Sequence, residues 1–285
     1  YIAIYNNYSQ EIFYNYRDYI KWAKNEPKIK NISGGVGMYS LSGYGRYVTY
    51  VKKAKSTLPS MPELEKAGTA FSDSLDKLYP IHQELHDYYK FEEYKDDNLK
   101  KGKEQHQKLI AALNESLKAS AQLDKELQKI ENNMATTILK HLEKNEGRNS
   151  NNYIKHDMLM KARIVMLMAN KLDVHSINYA EFKKAVDDYS KTLDAFDKNV
   201  KENNLIRLNE LISKAKAFKR DSKNFMGKIT NKNSYGSDQN LIGTGFEIMV
   251  EDSPKRLLET YMYFIGEYKK GSMPYKWIFT QKFAH

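Results

Sequence analysis

From Leu99 to Ile138 the chain places Leu99, Gly102, His106, Leu109, Leu113, Leu117, Leu123, Leu127, Ile130, Met134 and Ile138 almost entirely at three- and four-residue steps. An α-helix turns about 100° per residue, so such steps keep these side chains on one face. A helix that long with a single apolar face has to bury that face against other helices, because propensity alone does not hold it together in water.

The same period recurs along the rest of the chain. Tyr5, Tyr8, Ile12, Tyr16, Tyr19 and Ala23 mark a helix over about 2–25, with Pro27 beyond its end. Pro62 suits the first turn of a helix whose inner stripe is Phe71, Leu75, Leu78, His82, Leu85 and Tyr89. Amphipathic segments follow at about 46–56, 153–171, 177–203 and 205–229, and Ser253-Pro254 reads as cap and first turn of a last helix ending near Tyr268, before Gly271. Strand-like alternation is scarce and no fixed-period repeat is present. The fold class is all-α: an elongated antiparallel bundle of about seven or eight helices with Gly-rich connecting loops, the first of them at 33–45. One helical domain is expected over 1–270, with the Asn-rich stretch 146–152 as its point of subdivision, followed by a tail over 271–285 that contains Pro274, Trp277 and Phe279.

Composition narrows the chemistry. With no Cys among 285 residues there is no disulfide, thiolate metal ligand or cysteine nucleophile. The mean hydropathy of −0.73 is that of a strongly solvated chain, yet 22 Tyr and 11 Phe supply too much apolar surface for disorder. The longest uninterrupted apolar run, 164–169, falls far short of the roughly 20 residues of a membrane span. The net charge of +10 is uneven: 21–55 holds 8 basic and 1 acidic residue, 201–232 holds 9 and 3, and 56–200 holds 22 and 24. Such flanks would attract an anionic membrane surface, nucleic acid or cell-wall polymer if they lay on one side, although solubility is the simpler account of them. No nucleic-acid recognition module appears, so specific nucleic-acid binding is not expected.

One segment carries a signature. Tyr88-Tyr89-Lys90-Phe91-Glu92-Glu93-Tyr94-Lys95-Asp96-Asp97, then Lys101-Gly102-Lys103 and His106, resembles the YiiG-like family of bacterial proteins predicted to be lipoproteins, a family with no assigned activity. The pattern is a paired Tyr, then Tyr-Lys-Asp-Asp, then Lys-Gly-Lys with a His three residues on. The resemblance extends over most of 1–270 and implies a helical domain facing the periplasm or cell envelope, tethered by an N-terminal lipid. The lipid-bearing Cys is absent here, and Tyr1-Ile2-Ala3-Ile4-Tyr5 already reads as helix, so the start is expected to lie downstream of any leader.

The candidate sites are few. His82 and His86 stand one helical turn apart, a spacing that can hold a divalent ion, but Gln83 occupies the place where a metalloprotease helix carries its Glu. If Asp96 to Asn98 is the tip of a hairpin, Glu104 and His106 come back toward His82 and His86 as a four-ligand set. Structural histidines bonded to tyrosine or backbone are the simpler expectation. Gly35-Val36-Gly37 and Gly243-Thr244-Gly245 expose backbone amides but complete no phosphate-binding fingerprint, and Asp187-Asp188 belongs to a solvated face. No catalytic constellation appears, no cofactor is implied, and the reading is a non-enzymatic module that binds a protein, envelope polymer or small ligand. Within the signature, whose motif also includes Lys95 and His106, Asp96 and Asp97 are expected to cap the long helix, Tyr88, Tyr89 and Tyr94 to pack the hairpin end, and Gly102 to let two helices approach.

Overall fold

The computed structural model describes residues 1–29, 36–41, 43–54, 60–169, 174–231, 235, 238, 241 and 245–270. Gly34, Gly35, Pro59, Gly243, Thr244, Gly271 and the 271–285 tail therefore lie outside the described residues. Among the described residues there are eight α-helices and no strand: α1 Ile2–Ala23, α2 Tyr44–Ala54, α3 Pro62–Lys90, α4 Lys100–Glu146, α5 Asn151–Ala169, α6 Tyr179–Glu202, α7 Asn209–Thr230 and α8 Pro254–Lys270. The chain is all-α, and its helices pack as bundles. None of the described helices is long and apolar enough to cross a membrane.

Capping chemistry sets most of the boundaries. Pro62 opens α3, and the Glu65 carboxylate accepts from the Met61 amide at 2.8 Å. Asn178 caps α6 by accepting from the amides of Ala180 and Glu181. The Ser253 hydroxyl accepts from the Arg256 amide at the start of α8, with Pro254 in its first turn. Each such bond satisfies an amide that has no partner inside the helix. Helix α4 continues through Asn145 and stops at Gly147, whose φ of 81° suits a residue without a Cβ; only 147–150 separate α4 from α5. The Asn-rich stretch is thus shorter as a turn than its composition suggests.

The chain forms two compact units, which divide inside α4 between Asn132 and Asn133. In the first unit α3 and α4 form an antiparallel hairpin: Lys101 pairs with Glu84, Lys77 with Glu115, and the Ser116 hydroxyl donates to the Ser74 carbonyl. Helix α1 runs alongside α3 in the same direction, with Asn15 against His82 and Trp22 against Tyr89. Ile4, Tyr8, Ile12, Phe71, Leu75, Leu78, Leu109, Leu113 and Leu123 fill the interior between them. Two stripe assignments change. Asn15 is fully buried on α1 beside a partly buried Tyr16 that packs against the same core, and Ala135 rather than Met134 is buried on α4. The second shift comes just past the unit boundary, where α4 meets a different set of neighbours.

In the second unit α5, α6, α7 and α8 pack in turn, with α5 also against α8, closing a four-helix ring. Phe182, Tyr189, Phe196, Phe218, Phe225, Tyr261 and Phe264 are fully enclosed. Tyr189, Phe218 and Tyr261 meet edge to face at centroid distances of 5.3 Å, the arrangement that aromatic quadrupoles favour. The Tyr189 hydroxyl donates to the Ala215 carbonyl, so a buried polar atom is satisfied.

Asp221 is one of the charged side chains buried in this unit, with Arg163, Lys228 and Glu247. Only 1% of its side chain is exposed, and it accepts from Arg220 at 2.7 Å and Arg256 at 3.1 Å, tying α7 to α8. Arg256 also donates to the Ile248 carbonyl. Removing a carboxylate from a fully buried pair costs about 3–5 kcal/mol, and here the two guanidinium groups retain some water, which brings the expected cost of Asp221→Ala down to about 2–3 kcal/mol. Urea unfolding measures it. A loss below about 0.5 kcal/mol would place the pair among ordinary surface ion pairs.

Candidate functional site

The signature segment forms the corner between α3 and α4. Helix α3 ends at Lys90, Glu93–Lys95 makes one 3-10 turn, and α4 starts at Lys100. Asn98 and Leu99 both adopt left-handed backbone, with φ of 53° and 65°. Asparagine tolerates that conformation; leucine does so at a cost of about 1–2 kcal/mol, offset here by burial of its side chain to 2% exposure.

Asp97 holds the turn. One carboxylate oxygen accepts from the Tyr88 hydroxyl at 2.6 Å and the other from the Lys101 amide at 2.9 Å, so it caps α4 and joins it to α3. The Tyr88 hydrogen bond, with the backbone amides at the helix start, holds its carboxyl below the usual range. Asp96 is exposed, and Lys95, also exposed, pairs with Glu92. Tyr88, Tyr89 and Tyr94 form a buried ring cluster joined by Trp22 and Tyr19 of α1, with Tyr88–Tyr89 and Trp22–Tyr89 edge contacts at 5.0 and 5.3 Å. Gly102 lies under this cluster: a Cβ there would sit 2.5 Å from the Tyr89 hydroxyl and 3.3 Å from its Cζ.

His106 is buried beside Tyr19, whose hydroxyl lies 3.0 Å from Nδ1. With that hydroxyl donating, the ring proton sits on Nε2, on the side of the Asn25 carbonyl, and burial lowers the imidazole's pKa. His82 is buried to 1% exposure with Nε2 2.9 Å from Asn15 Oδ1. The Asn15 amide is oriented by two unambiguous neighbours, since its oxygen accepts from the Tyr39 amide at 2.6 Å and its nitrogen donates to the Glu11 carbonyl at 2.9 Å. His82 Nε2 must therefore be the donor, and Nδ1 is left as a bare, buried lone pair. Burial, with His86 nearby, pushes the His82 pKa down to about 4.

Of the four residues considered as metal ligands, His82 and His86 stack at 6.2 Å, His86 bonds to Asp87, His106 faces Tyr19, and Glu104 is exposed. Among the described residues no group of three or more His, Asp or Glu side chains is placed to hold a metal ion. Gly35 is outside the described residues. Gly37 presses against Asp18 of α1 in a segment that Tyr39 fastens through Asn15 and Asp18. Asp187 pairs with Lys183 on a solvated face.

The tyrosine partner expected for a buried histidine is found at His106, in Tyr19, whereas sequence reading missed Asn15 as the partner of His82. Asn15 lies three residues after Ile12 and four before Tyr19, so a polar residue at an inner-stripe step was the available signal. Beside the Asp97 carboxylate, the buried groups gathered here are the imidazoles of His82 and His106, whose pKa values burial lowers, and phenols, because burial raises Tyr19 and Tyr89 well above the ordinary phenol range.

A family described as "Protein of unknown function (DUF3829)" matches residues 1–270. A curated relative, the "Uncharacterized protein YiiG" of Escherichia coli (strain K12), is 25% identical over 277 residues, which cover 94% of this chain and 76% of that protein. No solved structure matches the chain.

Two outcomes follow from the corner. Gly102→Ala gains up to about 1 kcal/mol of helix propensity but drives a methyl into the Tyr89 ring, at about 1–3 kcal/mol, so a net loss is expected, reduced in the Gly102→Ala/Tyr89→Phe double variant. Thermal unfolding of these two variants and of Tyr89→Phe alone tests this, and an unchanged or raised Tm in Gly102→Ala would contradict it. For His82 the folded pKa of about 4 lies below the ordinary 6.5, so the unfolded chain binds the extra proton in that window. Stability is then full above pH 6.5 and falls as pH drops toward 4, by about 3 kcal/mol at most. His82→Gln, which keeps a donor to Asn15, should flatten the Tm-against-pH slope across that range; an identical slope would assign the acid sensitivity elsewhere.

Proposed function

The chain belongs to the DUF3829 family across residues 1–270, and from that premise we propose that it is a non-enzymatic helical module. It acts outside the cytoplasm, is held at a bacterial membrane by an N-terminal lipid, and binds a protein, an envelope polymer or a small ligand. The observation that carries the non-enzymatic reading is the use made of Asp97. Both its oxygens are committed, one to Tyr88 and one to the start of α4, and the neighbouring His106 and His82 are buried against Tyr19 and Asn15. A general acid or base has to reach a substrate proton, and each of these groups is engaged by a partner inside the fold. The location and the tether rest on the family resemblance. The alternative, a metal centre on His82, His86, Glu104 and His106, lacks support because those side chains do not converge.

Fractionation of cells producing the full-length protein, with labelled palmitate, tests location and tether together: label in a membrane fraction is expected, and unlabelled protein confined to the cytoplasm would end that part of the reading. For the chemistry, Asp97→Ala should lower the Tm by unfastening the start of α4 while leaving no activity to lose. A turnover abolished by Asp97→Ala or His106→Gln at unchanged Tm would make the corner a catalytic site.

A further inference from the structure

The aromatic cluster of the first unit differs in chemistry from that of the second. Tyr19 and Trp22 of α1, Tyr88 and Tyr89 of α3, and Tyr94 of the corner form one chain of touching rings. Centroids lie 5.6 Å apart from Tyr19 to Trp22, 5.3 Å from Trp22 to Tyr89, 5.0 Å from Tyr89 to Tyr88 and 6.5 Å from Tyr88 to Tyr94. Each of these rings is a phenol or an indole, the side chains that give up one electron most readily. In the second unit Phe218 and Phe264 stand between Tyr189 and Tyr261, and a phenyl ring is far harder to oxidise. Exposure in the first chain falls from its edge to its end, from 7% at Trp22 and 6% at Tyr94 to 0% at Tyr19.

Losing an electron turns a phenol into a strong acid, so its hydroxyl needs a base within hydrogen-bond reach. Tyr19 has one, because its oxygen lies 3.0 Å from His106 Nδ1 while the ring proton sits on Nε2. Burial lowers the His106 pKa and leaves the imidazole neutral, the state that can accept a proton. The Asn25 carbonyl and the Glu26 charge act the other way and support the imidazolium once it forms. Glu26 is itself paired with Lys103 at 3.3 Å. Tyr88 donates to Asp97, a weaker base than imidazole because its carboxyl is held below the usual range. Tyr189 of the second unit donates to the Ala215 carbonyl, which cannot keep a proton.

We propose that the first chain is a one-electron relay that carries oxidation from the surface to Tyr19 and holds it there as a radical. An oxidant of the peroxyl-radical class takes an electron from Trp22. The indole radical cation takes an electron from Tyr19, whose O–H bond breaks as its proton forms an N–H bond at His106 Nδ1. The products are a neutral phenoxyl radical, an imidazolium, a restored indole and a hydroperoxide whose proton comes from water. Moving the proton with the electron keeps a phenol cation from forming in a buried site, where an uncompensated charge is costly. The relay goes beyond the binding-module reading and does not depend on it.

Flash photolysis of the whole chain with ruthenium tris-bipyridine and persulfate supplies a one-electron oxidant. Transient absorption follows the rate at which tyrosyl radical forms, and high-field electron paramagnetic resonance of samples frozen after the flash identifies a radical hydrogen-bonded to imidazole. That component is expected, forming more slowly in heavy water. Tyr19→Phe, which removes one oxygen atom, should lose it, as should His106→Gln, and thermal unfolding of both variants records that they fold. Trp22→Phe keeps an aromatic ring and should lower the yield, whereas Tyr189→Phe in the second unit should leave it unchanged. An unchanged component in Tyr19→Phe or His106→Gln overturns the site, and so does its loss in Tyr189→Phe. An unchanged yield in Trp22→Phe overturns the path through the indole. If Tyr19→Phe does not fold, the unaltered chain decides: equal rates in light and heavy water show that no proton moves with the electron and overturn the proposal.

Discussion

Where α4 passes Tyr89 there is room for a hydrogen atom and not for a methyl group, and the first unit is arranged around that approach. Gly102 lets the start of α4 lie against the paired tyrosines, which in turn pack on Trp22 and Tyr94. With the two helices pinned at their joined ends, the remaining pairs, Lys101 with Glu84 and Ser116 with Ser74, fall into register along the hairpin. The corner is not relaxed, since Leu99 is left-handed. Burying its side chain and capping α4 with Asp97 are each worth on the order of 1–3 kcal/mol in comparable settings, enough to hold one such residue in place.

The interior of each unit also contains polar groups, and their treatment separates packing from binding. Asn15 with His82, Tyr19 with His106, His156 with Tyr268, and Asp221 with two arginines are matched inside the fold, donor to acceptor or charge to charge. A buried polar group left without a partner costs more than a hydrogen bond contributes, so such pairs are what a stable interior requires. A cavity beside Lys155 is arranged differently, because side chains from α5, from the segment leading into α7 and from α8 line it together.

The helices were largely legible because their period and caps are local. Ser253-Pro254, Pro62 and the residues around Asp97 act within one turn of their own backbone, and each marks a boundary in the structure. Legibility fails where a neighbour decides. Period alone admits both Asn15 and Tyr16 to the inner face of α1; His82 selects Asn15. Met134 continues the stripe of α4, yet Ala135 is the buried residue, because the helix exchanges one set of neighbours for another near Asn133. Pro80 sits inside α3 without ending it, since burial of Leu75, Leu78 and Leu85 on either side outweighs the roughly 3 kcal/mol a proline costs a helix interior. His82 and His86 share a face of α3 by spacing, but whether Glu104 or His106 of α4 points at a common centre with them depends on the rotation of α4 against α3, which spacing does not contain.

By itself the sequence determined the all-α class, the number and approximate limits of the helices, the corner at Asp97, and the absence of cysteine chemistry, because each of these follows from contacts within a turn or two or from composition alone. The tertiary structure decided which buried polar residues meet, that among the described residues His82, His86, Glu104 and His106 form no group placed to hold a metal ion, that α4 serves two units, and that Lys155, Arg207 and Lys270 line one cavity. Those residues lie far apart along the chain, on elements whose individual patterns say only which face is buried. Which faces meet is set by the joint packing of all the helices, and no single stripe carries that information.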